Sequence, residues 1–185
     1  MKSDAVEFER SANLLGALSL VIADRMSDAV AGASGQSATG ATALSALHHF
    51  LDRPTVDLLR RVLGLTSSGT VRLLDRLAEA GYVRRGSGTD RRSTAIGLTA
   101  AGRRAAKRVS AARAVLLEDA LSVLSPDERA TLEAVTSRLL VGLMREPGAT
   151  RWMCRLCDTD ACGRQTGNCP VANAAMERYG PDARP

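Results

Sequence analysis

The sequence predicts a mainly helical fold with one small β-hairpin. Three observations carry that expectation. Apolar residues recur at helical spacing along most of the chain. Ser or Thr repeatedly stands just before such a stretch, where a helix needs an N-cap. One β-prone run, Tyr82-Val83-Arg84-Arg85, is answered after a Gly-rich turn by Thr94 to Leu98. With 185 residues, 45% of them hydrophobic, the chain has room for one core and a short appendage.

Residues about 4–31 read as one long helix, with Leu14, Leu18, Val21 and Ile22 at helical spacing. Gly32 to Gly40 reads as a loop by composition. Ala41 to Leu51 reads as a short helix ending near Asp52-Arg53-Pro54. Thr55 caps the next helix, which stops at Gly64. Thr66 caps another, running from Ser67 to about Ala80, with Val71, Leu74 and Leu77 on its inner face. The hairpin follows, turning through Gly86-Ser87-Gly88-Thr89. Thr99 caps a helix to about Leu124. Ser125-Pro126-Asp127-Glu128 is a strong helix start, with Ser125 as cap, Pro126 first and Glu128 bonding back. That last helix carries Leu132, Val135, Leu139 and Leu143 on one stripe and ends before Pro147.

Composition narrows the function. The N-terminus is charged and lacks the apolar core of a signal peptide. The longest run without formal charge, Ala29 to Leu51, holds too many Gly, Ser, Thr and His residues to span a membrane. The expected address is therefore the cytoplasm, with no membrane partner. Aromatic residues are only 3%, which argues against a platform for stacking unpaired bases. The net charge of +5 is concentrated: residues 66–113 carry 11 basic and 3 acidic groups, a net +8. A localised basic block points to a nucleic acid, although a solvated Arg-rich helix face looks the same by count.

Local structure decides between the two. Two short helices joined by a Gly-containing turn, then a basic hairpin, make a helix-turn-helix with a wing. Its second helix suits the major groove of duplex DNA, where its first turn points polar groups and N–H donors at phosphates and base edges. Ser67, Ser68, Thr70 and Arg72 are the expected groove-facing residues, and Arg76, Arg84 and Arg85 add positive charge. A Ser/Thr cluster at a helix start can be capping alone; the basic hairpin behind it tips the reading to DNA.

The residues from Leu63 to Arg85 (LGLTSSGTVRLLDRLAEAGYVRR) and from Asp90 to Arg104 (DRRSTAIGLTAAGRR) resemble the MarR family of winged helix-turn-helix regulators. With helix order included, the likeness covers about the first four-fifths of the chain. The resemblance implies a DNA-binding regulator, not an enzyme, with its recognition helix in the major groove. It places Arg92 in the minor groove, oriented by Asp90, with Arg91 on a phosphate. It implies a homodimer built by helices 4–31 and 100–146 around a DNA-binding lobe of about 41–99. Such a dimer reads a pseudo-palindromic operator with half-sites about one helical turn apart. Small effectors in the family bind between dimer helices and DNA-binding lobe, a pocket that His48 and His49 could face; their plainer reading is two partly buried helix residues. The chain departs from the family pattern at the short hairpin tip, which lacks the usual acidic and proline residues, and at Gly97, which weakens the second strand.

Residues 1–146 thus form the regulator domain and 147–185 a cysteine-rich extension. All four cysteines lie there: Cys154, Cys157, Cys162 and Cys169, the last followed by Pro170. Both histidines are distant, so a finger with two Cys and two His ligands within that window is excluded. Short spacers let four thiolates close around one centre at little loop entropy. Three readings stand side by side. They are inert thiols, a structural Zn²⁺ on all four, and an iron–sulfur cluster (2Fe-2S or 4Fe-4S). The all-Cys set, the single run and the following Pro favour iron and sulfur. Arg151, Arg155 and Arg164 could offset the charge of a thiolate centre, and Trp152 could pack the appendage onto the helices. The reading that follows is a repressor whose centre senses redox or metal status. One rival is a regulator answering to a small organic ligand, with structural zinc. Another is a thiol-redox enzyme using the Cys154–Cys157 pair, although no thioredoxin-like pattern accompanies it.

Overall fold

The computed structural model describes residues 2–87 and 94–180. Eight helices and one two-stranded antiparallel sheet are found among them. In chain order they are α1 (Lys2–Ser34), α2 (Ala38–His49), α3 (Val56–Leu63), α4 (Ser67–Glu79), β1 (Val83–Ser87) and β2 (Thr94–Leu98). There follow α5 (Ala100–Leu121), α6 (Pro126–Leu143), α7 (Ala149–Met153) and α8 (Pro170–Tyr179).

Local chemistry sets most boundaries. Thr55, Thr66, Thr99 and Ser125 each accept from a backbone N–H of the first turn they precede. Ser125 and Glu128 complete a reciprocal capping box. Gly64 ends α3 in the left-handed region, at φ 65.

The loop expected over 32–40 is instead mostly helix. α1 continues to Ser34, whose hydroxyl donates back to Val30 O, and left-handed Gly35 stops it. Ser37 then caps α2 at once. Two of the small residues that read as loop are packing residues: Ser34 and Gly40 are buried. Long-range donors satisfy the end of α1, since Arg108 donates to Ala33 O and Tyr82 to Ser34 O. Gly86 and Ser87, expected in the turn, belong to β1.

The main core joins α2, α3, α4, the hairpin and α5 through Leu44, Leu59, Leu74, Leu77, Ile96 and Ala105. β1 and β2 pair in register from Val83–Leu98 to Ser87–Thr94. Ile96 N also donates to Pro54 O, and Thr55 bridges Ala95, so the wing is tied to the start of α3.

α1 and α6 behave differently. Leu14, Leu18 and Val21 of α1 are exposed, as are Leu132, Val135, Leu139 and Leu143 of α6, and no α6 residue is buried. Their stripes are not a core within this chain. A second core gathers Met144, Cys154, Cys169, Val171 and Ala175, where the extension folds upon itself against the end of α6. Pro170 has an ordinary place there, as the first residue of α8. No helix among the described residues is long and apolar enough to cross a membrane.

Candidate nucleic-acid interface and thiol cluster

The start of α4 is closed by a threonine cap. Thr66 Oγ1 accepts from Gly69 N at 3.1 Å. No acidic side chain lies in the first turn, so the positive end of the helix dipole is uncompensated. Ser67, Ser68, Arg72 and Arg76 are exposed. Thr70 is not: its side chain is fully buried, and its hydroxyl donates to Thr66 O at 2.9 Å. The correction follows from periodicity. Thr70 stands three, four and seven residues before Leu73, Leu74 and Leu77, all buried, and so shares their face.

Val71 corrects in the opposite direction. Expected inside, it is 45% exposed and sits between the exposed serines and Arg72. It is a candidate contact for a thymine methyl group that a composition-led reading missed. The face that Leu73, Leu74 and Leu77 share, taken together, turns Val71 away from the core.

Of the wing residues, Arg84 and Arg85 are both exposed. Arg85 Nη2 meets Asp75 Oδ1 at 2.6 Å, which braces the wing against the recognition helix. Gly97 lies opposite Arg84 in the ladder, where the missing side chain makes room for the guanidinium. Asp90, Arg91 and Arg92 lie outside the described residues.

Residues 37–93 match the family model described as MarR family. The match spans α2, the helix-turn-helix and the first wing strand. The MarR-family fold extends beyond that module. MepR of Staphylococcus aureus, a transcription regulator of the multidrug efflux pump MepA, is 20% identical. The match covers 72% of this chain and 98% of MepR, with a TM-score of 0.60. RV1404 of Mycobacterium tuberculosis is 24% identical over 72% of this chain and 92% of its own, with a TM-score of 0.62. The transcriptional regulator PA3341 is 28% identical over 71% and 96%, at 0.56. MepR has also been solved in complex with DNA. No curated protein matches the chain in sequence. The sequence likeness to the MarR family thus lies in the helix-turn-helix segment, and the likeness of fold takes in the helices around it.

The extension brings all four cysteines together. Cys154 and Cys169 are buried, and Cys157 and Cys162 half-buried. They meet as two hydrogen-bonded pairs, Cys154 with Cys157 and Cys162 with Cys169. The hydrogen bond from Cys154 and the nearby Arg113 and Arg164 hold the Cys157 thiol at about 6, against burial. Its partner Cys154 is pushed up, by that same bond and by burial. Burial and the bond to Cys169 raise Cys162 to about 11.

Arg164 completes the surroundings. Its Nε and Nη1 are buried without a hydrogen-bond partner, beside Cys154, Cys157 and Cys162. Orphaned cationic donors facing a thiol cluster are costly unless an anion meets them. Donor set and charge therefore fit a thiolate-bound, negatively charged group. Among the described residues, no group of three or more His, Cys, Asp or Glu side chains is arranged to hold a metal ion.

The cluster is anchored to the DNA-binding lobe. Thr159 Oγ1 donates to His49 O at 3.2 Å, and Asp158 stands 4.0 Å from His49 Nδ1. His49 Nε2 in turn bonds Ser110 Oγ of α5 at 2.8 Å. The Arg164 guanidinium lies 5.6 Å over the Phe50 ring. His49 and His48 end α2, both partly buried. Trp152 is half exposed and sits at Gly64, in the turn before α4, with the Arg155 guanidinium over its ring at 4.2 Å.

Proposed function

We propose that this chain is a cytoplasmic, homodimeric, MarR-like repressor whose affinity for a pseudo-palindromic operator is set by an iron–sulfur centre on its four cysteines. Ser67, Ser68, Val71 and Arg72 read the major groove, and Arg92 the minor groove. The exposed apolar stripes of α1 and α6 support the dimer, because a patch of that extent is unstable in water without a partner. The observation that carries the control element is the thiol cluster with its buried, unpartnered Arg164.

The pairing of the thiols favours a two-iron cluster over zinc. Each iron of a 2Fe-2S centre takes two thiolates, so Cys154 with Cys157 and Cys162 with Cys169 supply one iron each. A structural zinc on all four thiolates is the rival occupant of the same donor set. When bound, the cluster would supply a reversible change of charge at the end of the dimer helix α6. Thr159, Asp158 and Arg164 connect that position to His49 and Phe50 of the DNA-binding lobe. Loss of the centre frees this strap and shifts the lobes relative to one another.

The test is anaerobic purification followed by metal analysis and DNA titration. A brown protein with about two irons and two sulfides per chain is expected. Exposure to air should bleach it and change DNA affinity by about tenfold or more, and Cys157→Ser should be colourless. A colourless protein with one zinc per chain, and DNA binding indifferent to oxidant, sinks the control reading. Release from DNA by a small organic ligand would then select the rival regulator.

A further inference from the structure

The extension and the helix-turn-helix share a basic groove that the reading above leaves unused. Its walls are the end of α3 and the turn after it on one side, and the α6–α7 connection and α7 on the other. Arg60 and Arg61 come from the first wall, Arg145 and Arg151 from the second, and Trp152 lines the floor. Two carboxylates stand against these four guanidiniums. Asp57 holds Arg60 at 3.0 Å and Arg61 at 3.1 Å, and Glu146 lines the second wall. The Asp57 pairs are exposed, so they are weak and can be exchanged for a stronger anion.

The position of the groove matters as much as its charge. Leu65, in the turn of the helix-turn-helix, lines it together with Gly64. Leu65 also lines the separate hollow beside the recognition helix, with Gly69, Arg72 and Arg76. The basic groove therefore runs on from the surface that reads DNA. A duplex seated on α4 carries its backbone past the turn, and closely spaced phosphates suit several guanidiniums at once.

We infer that the extension contributes a second DNA contact, in which Arg145 and Arg151 join Arg60 and Arg61 in holding the phosphate backbone beside the recognition helix. The contact reads no bases. It adds affinity and salt dependence, and it makes the extension part of the DNA-binding surface as well as the seat of the cysteines. It rests on DNA binding by the helix-turn-helix and needs no metal.

The experiment titrates the full-length protein with a random-sequence duplex of about 40 bp across a series of salt concentrations. Arg145→Gln and Arg151→Gln should each weaken binding and flatten the slope of log affinity against log salt by about one per arginine engaged. Arg145→Lys keeps the charge and should keep the slope, which separates a phosphate contact from damage to the fold. Arg129→Gln, on exposed α6 outside the groove, should change nothing. The single tryptophan, Trp152, should change its emission on binding, and less so in the Gln variants. Unchanged slopes in both Gln variants overturn the inference while leaving DNA binding intact. A Trp152 response to a small aromatic carboxylate, with DNA slopes unchanged, overturns it in favour of a ligand pocket. Absence of DNA binding by the unaltered protein overturns both this inference and the reading beneath it.

Discussion

Thr159 donates its hydroxyl to the main-chain carbonyl of His49, 110 positions earlier in the chain. Thr159 is buried at 4% exposure, so water does not replace that bond easily. Thr159→Val keeps the shape and leaves the carbonyl unmet. The expected cost is about 1 kcal/mol. Amide hydrogen exchange should speed up between Cys154 and Cys169 while the helix-turn-helix stays protected.

The His49 ring yields a pH prediction. Burial holds its pKa below the ordinary 6.5, with the Asp158 carboxylate opposing. The folded state therefore keeps the ring neutral where the unfolded chain already takes a proton. The stabilisation is full above 6.5 and is lost as pH falls from there toward the lowered folded value. Thermal melts across that window should show the midpoint dropping on acidification, and His49→Gln should flatten the drop.

Gly102 sets the distance between α5 and the wing. A β-carbon there would collide with the Tyr82 carbonyl, which also accepts from Thr99 N. That oxygen is backbone and cannot swing aside. Gly102→Ala should cost about 1–3 kcal/mol, read as a lower denaturation midpoint. It should also weaken DNA binding, because the displaced element is the hairpin that carries Arg84 and Arg85.

Thr70 and Arg72 are neighbours with opposite roles. Arg72→Ala should weaken operator binding by about 1–3 kcal/mol and leave the melting temperature unchanged. Thr70→Ala should do the reverse, lowering stability by about 0.5–1.5 kcal/mol with base preference intact. Parallel melts and DNA titrations separate the two.

Much of this architecture was legible in the sequence because caps and breakers are local. Thr55, Thr66, Thr99 and Ser125 act over three residues, and each begins the helix that its position predicted. The misreadings arose where composition was allowed to outweigh packing. Gly32 to Gly40 looks like a loop by residue type, yet Gly32 to Ser34 extend α1 and Ala38 to Gly40 begin α2, where small side chains suit close packing. Thr70 was placed outside for its hydroxyl, although the period of Leu73, Leu74 and Leu77 put it inside. α7 and α8 escaped notice because the cysteine spacing dominates that segment and α7 is a single short turn. Arg164 could be placed near the thiols because it stands two residues after Cys162, but its seat over the Phe50 ring comes from tertiary packing, which no spacing rule reveals.

α6 has eighteen residues and buries none of them within its own chain. If a second copy covers that stripe, folding and association become one equilibrium, and the melting temperature depends on protein concentration. Dilution then acts as a denaturant. At low abundance in the cell, the amount of chain present would help decide how much of it is folded, before any signal reaches the cysteines.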